Sequence, residues 1–400
     1  CFRDGGNLAA REKMALASTY AGLAFTRANV GYVHAIAHQF GGMYHTPHGL
    51  ANAIMLPHVL EFSSPSITAR LARLALRAGV GREDESEDDL AQKFLDAVRE
   101  LNNDLAIPTH LAALREADIP ALAKVDPKVF GIAVVTADGK VYTAGDLTTE
   151  VSIQSISKVF TLALVLEESG PEAIQNGVGV DATGQVFNSI VAIEQYKGAE
   201  MNAMVNPGAI TATGMVAGGS RAEIWNKILS YYSDFAGRKL EVDQEVFESE
   251  AATNQRNQAI GRLMYAYGRI KDNPDRATDI YTEQCSVSVN ARDLATMAAT
   301  LANGGRNPVT GKQVLNSAYV PNVLAVMATA GLYDDSGKWL YQTGLPAKSG
   351  VGGGIIAVSP GRFGIAVISP PLDAAGNSVR AQKAIADISN ALGGNPYTVT

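Results

Sequence analysis

The spacing of apolar residues changes period once, near Phe130, and that switch restricts the fold of this chain more than any other feature. Up to residue 117 the apolar positions recur at helical intervals, in Leu8–Arg27, Ser66–Ala78 and Leu90–Leu105. The acidic run GREDESEDD (81–89) reads as a helix N-terminus, where carboxylates meet unpaired N–H groups and the positive dipole end; an interaction tail is the alternative. From Phe130, FGIAVVTADGKVYTAGD sets two β-branched runs around Ala137-Asp138-Gly139-Lys140, a hairpin signal. Helical spacing then returns until LPAKSGVGGGIIAVSPGRFGIAVISPPL, which reads strand, turn, strand, and Ser378–Leu392 closes the chain as a helix. Strands at both ends of a helical middle predict one sheet covered by helices. The expected class is multidomain: an all-α part, then an α+β domain.

Bulk properties narrow the function. With 400 residues, 46% of them hydrophobic, the chain can pack more than one domain. A net charge of −7 argues against a nucleic-acid partner, which needs clustered Lys and Arg. No apolar run approaches the roughly 18 residues of a membrane span, and no basic, then apolar leader is visible. Two cysteines, Cys1 and Cys285, make no disulfide framework and fit a reducing cytoplasm. The opening at Cys1, directly in helical periodicity, is what a fragment would show.

Two residue clusters carry chemistry. In the first part, GYVHAIAHQFGGMYHTPHGLANAIMLPHVLEF holds five of the six histidines: His34, His38, His45, His48 and His58. His34 and His38 are one helical turn apart and can share a face as metal ligands; singly, each also reads as a hydrogen-bonded structural histidine. In the second part, Ser155-Ile156-Ser157-Lys158 fits S-x-x-K, which puts an amine one turn after a hydroxyl. The plainer reading is that Ser152 or Ser155 caps a helix over 156–168. Lys348-Ser349-Gly350, expected at the start of a strand, matches the K-T-G element that accompanies such pairs, and SVSVNARDLATMAATLANGG is a helix of the kind that packs nearby.

The histidine run with TPHGLANA resembles the helical C-terminal domain of the iron-containing alcohol dehydrogenases, over residues 7 to about 122. The resemblance implies metal ligation at His34 and His48, with His38 near a substrate. That family takes two further ligands and its NAD site from sequence preceding this region. Here no G-x-G-x-x-G follows a strand, and two imidazoles alone leave iron poorly satisfied. The expectation is therefore orphan ligand positions, no metal, no cofactor and no dehydrogenase activity.

From about Ile119 onward, FSIQSISK-like sequence at Ser152–Lys158, then VNPGAI, ESEAATNQRN, DIYTEQCSV, GLYDDSG and KSGVGGGI in that order, resemble the β-lactamase-fold glutaminases. The resemblance implies L-glutamine as substrate, Ser155 as nucleophile, and glutamine contacts at Asn206, Glu250, Asn257, Tyr281, Tyr333 and Val351. Lys158 suits a base if burial and a nearby Lys348 lower its pKa. Tyr333 suits a proton relay to ammonia, Glu250 the substrate ammonium, and the backbone N–H groups of Ser155 and Val351 an oxyanion site. Singly, the asparagines also read as turn or surface amides and the tyrosines as half-buried core. A homo-oligomer through this domain is expected. A penicillin-recognising acyl-transferase and an inactive interaction protein remain alternatives.

Both resemblances claim Ile119–Lys124 within READIPALAKVDPKVF (115–130). The domains are therefore expected at 1–117 and 118–400, with the junction inside 118–125, as in a chimera joined at a shared hexapeptide. Asp118 stands where the glutaminases carry an active-site tyrosine, and weakened turnover is expected.

Overall fold

The computed structural model describes residues 1–28, 31–111, 125–199, 201–373 and 375–398. Asp118 and the shared stretch Ile119–Lys124 lie outside the described residues. Residue contacts separate the chain into two compact units, Cys1–Asp118 and Ile119–Thr400.

The first unit is helical: α1 (Leu8–Ala28), α2 (Tyr32–Tyr44), α3 (His48–Ala78) and α4 (Glu87–Asp104). The acidic run does begin a helix. Ser86 caps α4 by accepting from the Asp89 N–H, and Glu87, Asp88 and Asp89 fill its first turn, where they oppose the dipole. Expectation and structure differ at α3, which starts at His48 rather than Ser66 and runs through Pro57 and Pro65. The proline constraint is met by a kink: Ile67, two residues after Pro65, leaves helical geometry at φ −132°. The apolar stripe from Ser66 is thus the second limb of a longer helix. Leu71, Ala91 and Leu95 pack α3 on α4, with Ile67 and Phe94 beside them.

The second unit opens with the expected hairpin, β1 (Gly131–Thr136) and β2 (Val141–Gly145), followed by the two-residue β3 (Val151–Ser152). Helices α5 (Ser157–Gly177), α6 (Ile190–Tyr196), α7 (Asn206–Met215), α8 (Arg221–Ala236), α9 (Gln244–Thr253), α10 (Gln255–Ala266) and α11 (Pro274–Cys285) follow. Then come β4 (Ser288–Val289), α12 (Ala291–Ala302), α13 (Val320–Ala330), α14 (Ser336–Thr343), β5 (Ala347–Ser349), β6 (Gly354–Ser359), β7 (Phe363–Ile368) and α15 (Val379–Ala391). The five-stranded antiparallel sheet runs β2-β1-β7-β6-β5, so the two ends of this unit meet at the β1–β7 pair, Gly131 opposite Ile368.

Alternation along the strands assigns their faces. Ile356 and Val358 of β6, with Ala366 and Ile368 of β7, join the large core under α5, α8 and α12. Ile355, Ala357, Ile365 and Val367 face the other way, into the layer with Trp339, Ala381 and Ile385 of α14 and α15. Gly364 lets α12 approach the sheet by its backbone, since a Cβ there would sit 2.1 Å from the Ala299 nitrogen. Helix α5 starts one residue later than expected, and its first limb ends at Gly170, φ +77°, before Pro171.

Candidate active site

The second unit encloses a cavity of about 200 Å³, the scale of one amino acid. Ser155, Asn206, Glu250, Asn257, Tyr281 and Val351 all line it, although they come from five stretches spread across about two hundred residues. A larger, shallower depression of about 520 Å³ lies along α8, lined by residues including Asp234, Arg238 and Lys312. Its cations are already paired, Lys312 with Asp234 and Arg238 with Glu150 and Asp293, and it holds no nucleophile–base pair.

Ser155 is placed by a short ribbon. Strand β3 pairs with β4, Val151 opposite Val289, and the Ile153 N–H donates to the Val287 carbonyl at 2.8 Å. The chain then tightens into a 3₁₀ turn at Gln154–Ile156 and enters α5. No side chain caps this helix; its N-cap is Ile156. The capping role weighed for Ser152 and Ser155 is therefore not the one they have. Ser152 instead accepts from Gln154 Nε2 at 3.1 Å. Gln154 holds φ +50°, a left-handed conformation that costs a non-glycine residue about 1–3 kcal/mol. Tyr333, at φ +55°, carries the same strain.

Lys158, one turn after Ser155, is buried and 1% exposed. Its ammonium Nζ donates to Asn206 Oδ1 at 2.6 Å and to the Met204 carbonyl at 3.2 Å. Burial lowers its pKa to about 7. Lys348 is equally buried and donates to the carbonyls of Gly331 and Ser349, at 2.8 and 2.7 Å. Its pKa lies well below the ordinary lysine value, through burial first and the charge of Lys158 second. Burial is the leading cause at both amines, and the mutual repulsion of Lys158 and Lys348 adds to it. The Tyr333 ring lies against both amines, its centroid 4.0 Å from Lys348 Nζ and 5.8 Å from Lys158 Nζ. Burial pushes the Tyr333 pKa up, and the nearby Ser155 hydroxyl acts the other way.

Lys348-Ser349-Gly350 does not start a strand; it ends the edge strand β5 and leads into the turn before β6. That turn crosses the Ser155 segment at backbone distance. A Cβ on Gly352 would stand 2.5 Å from the Ser152 carbonyl oxygen, so only glycine lets Val351 approach.

An amide network forms the opposite wall. Asn206, first residue of α7, accepts from the Tyr281 hydroxyl at 3.1 Å and donates through Nδ2 to Asn257 Oδ1 at 2.9 Å. Glu250 has no cationic partner among the described residues, and burial raises its pKa. Phe187, Asn188, Asn254, Arg256 and Cys285 also line the cavity; sequence reasoning passed over them. Cys285 was findable, since it lies four residues after Tyr281 on α11; burial holds its thiol at about 11. Phe187 and Asn188 belong to no regular element and gave no signal.

A sequence-family comparison matches residues 115–397 to the glutaminase model. The glutaminase of Colwellia psychrerythraea is 54% identical over 279 residues, covering 70% of this chain and 90% of its own length.

The chain belongs to the glutaminase family.

The glutaminase of Brucella canis is 51% identical over 280 residues, covering 70% of this chain and 88% of its own. Among solved structures, a probable glutaminase, YbaS, superimposes with a TM-score of 0.70 at 47% identity, over 70% of this chain and 91% of that one. A Bacillus glutaminase crystallised in 4.3 M NaCl gives 0.66 at 30% identity, over 69% and 94%. The α+β unit is thus a glutaminase domain of the serine β-lactamase-like class. Residues 1–128 match a second model, the C-terminal part of the Fe-containing alcohol dehydrogenase family.

That second match implies a metal, and among the described residues no site for one is arranged. His34, His38 and His48 bring their rings within 5.3–5.9 Å of one another, tilted or edge-on. Among the described residues, however, no group of three or more His, Cys, Asp or Glu side chains is arranged to hold an ion. Nor is any helix of the described residues long and apolar enough to cross a membrane.

Proposed function

We propose that the chain hydrolyses L-glutamine to L-glutamate and ammonia, with Ser155 as nucleophile. One observation carries the reading: an amine whose pKa burial lowers to about 7 stands one turn after a hydroxyl at the wall of an amino-acid-sized cavity. Neutral Lys158 takes the Ser155 proton as Oγ attacks the side-chain amide carbon. The oxyanion forms opposite the backbone N–H groups of Ser155 and Val351, where losing one donor costs roughly 3 kcal/mol. Collapse breaks the C–N bond; Tyr333 hands its proton to the leaving nitrogen and recovers one from Lys158. Water, giving a proton back through the same groups, then cleaves the glutamyl ester and restores Ser155.

The binding assignments follow charge. Glu250, a half-buried carboxylate without a cationic partner among the described residues, suits the substrate ammonium. Asn206, Asn257 and Tyr281 offer neutral hydrogen-bonding groups toward the α-carboxylate end. Ammonia release from glutamine by the full chain, compared with Ser155→Ala, tests the proposal: equal rates overturn it.

The overlap of the two family matches, at residues 115–128, supports reading the chain as two domains joined at the shared Ile119–Lys124 stretch. Asp118 at that join weakens turnover in this reading. Assembly of the chain through its glutaminase domain belongs to the same proposal, and sedimentation measures it. So does residence in a reducing cytoplasm, in keeping with free Cys1 and Cys285.

A further inference from the structure

A neutral amine has two protons and one lone pair; an ammonium has three protons. Lys158 donates to two acceptors, both carbonyl oxygens: Asn206 Oδ1 at 2.6 Å and Met204 O at 3.2 Å. Those two bonds use every proton of the neutral amine and leave its fourth tetrahedral position to the lone pair. Met204 contributes only backbone. Asn206 is the adjustable member, and its orientation is not free. Its Oδ1 is shared with the Tyr281 hydroxyl at 3.1 Å, and its Nδ2 donates to Asn257 Oδ1 at 2.9 Å. Flipping the amide would set its carbonyl oxygen against Asn257 Oδ1, acceptor to acceptor, and would spend the lysine lone pair on accepting from Nδ2.

We propose that Asn206 is the positioning residue of Lys158: its fixed side-chain carbonyl takes one amine proton and thereby orients the lone pair for use as a base. The inference rests on the serine–lysine reading above and gives Asn206 a role separate from holding the substrate carboxylate. It also explains why an amide, and not a carboxylate, suits this position. A carboxylate would hold the third proton on the nitrogen, since an opposite charge at this distance favours the charged form.

The other groups facing Lys158 leave Asn206 its strongest partner. From α11 come the Cys285 thiol, kept protonated by burial, and the Tyr281 ring at 5.8 Å. The Tyr333 ring is at the same distance, and Lys348 comes from β5. None of these is an anion at neutral pH.

The test is a titration of the Lys158 ε-carbon resonance in the full chain carrying [ε-¹³C]lysine, without glutamine, with the signal assigned by its loss in Lys158→Arg. In wild type it should titrate near pH 7. In Asn206→Asp the midpoint should rise by about one to three pH units, and the acid limb of kcat should move with it, lowering kcat at pH 7 roughly fivefold or more. Asn206→Ala, which leaves no side-chain acceptor, should lower kcat without raising the midpoint. An Asn206→Asp midpoint equal to wild type overturns the proposal, as does a change confined to KM. Because the resonance is read without turnover, these outcomes are distinct from failure of the Ser155→Ala comparison, which would refute the hydrolase reading itself.

Discussion

Replacing Lys158 with methionine should destroy activity and yet stabilise the protein at neutral pH, by an amount that shrinks as pH rises. In the folded chain burial lowers Lys158 from 10.5 to about 7. Unfolded, it keeps its ordinary value, so between these limits the unfolded state binds more protons and stability increases with pH. The penalty is fully present below pH 7 and vanishes above about 10.5. At 1.36 kcal/mol per unit it is about 4 kcal/mol at pH 7 and about 2 at pH 9. Methionine fills a similar volume without the charge. It leaves the Met204 carbonyl without the lysine donor, at about 1–3 kcal/mol, while Asn206 keeps Tyr281. Lys158→Met should therefore be about 2 kcal/mol more stable than wild type at pH 7 and close to neutral at pH 9. The assay is paired urea unfolding of the two proteins at both pH values, monitored by a probe in the glutaminase domain. A stability difference that stays constant from pH 7 to 9 would refute the argument that burial keeps this amine neutral.

Four further outcomes follow from the same geometry. In wild type kcat/KM should fall through pH 7 on acidification, with about one-tenth of Lys158 neutral at pH 6; an unchanged rate at pH 6 contradicts a lysine base. Glu250→Gln should raise KM for glutamine by roughly tenfold to a hundredfold, the worth of a charge-assisted hydrogen bond. An amide substrate lacking the α-ammonium should be affected far less, and equal losses for both would remove Glu250 from ammonium binding. Gly352→Ala drives a Cβ to 2.5 Å from the Ser152 oxygen; displacing Val351 should lower kcat by about 10²–10³ with the fold retained by circular dichroism. Asp118→Tyr should raise kcat/KM for glutamine, and no rise would contradict the role given to the join.

Local interactions were legible in the residues themselves. The period switch at Phe130, the Ala137–Lys140 hairpin and the acidic start of α4 each depend on contacts within a few positions. So does the spacing of Ser155 and Lys158, and each can be read from a short window of sequence. Packing decided the rest. Pro57 and Pro65 act as breakers locally, but α3 continues through them, with the disturbance absorbed as a kink at Ile67. Phe187, Asn188 and Arg256 reach the cavity from loop and helix positions that no periodicity marks. Above all, Lys158 carries the sequence code of an ordinary charged lysine. Its near-neutral pKa exists only because α5, α7 and α11 close around it and remove water, and the desolvation of a charge is a property of that enclosure, not of any stretch of residues.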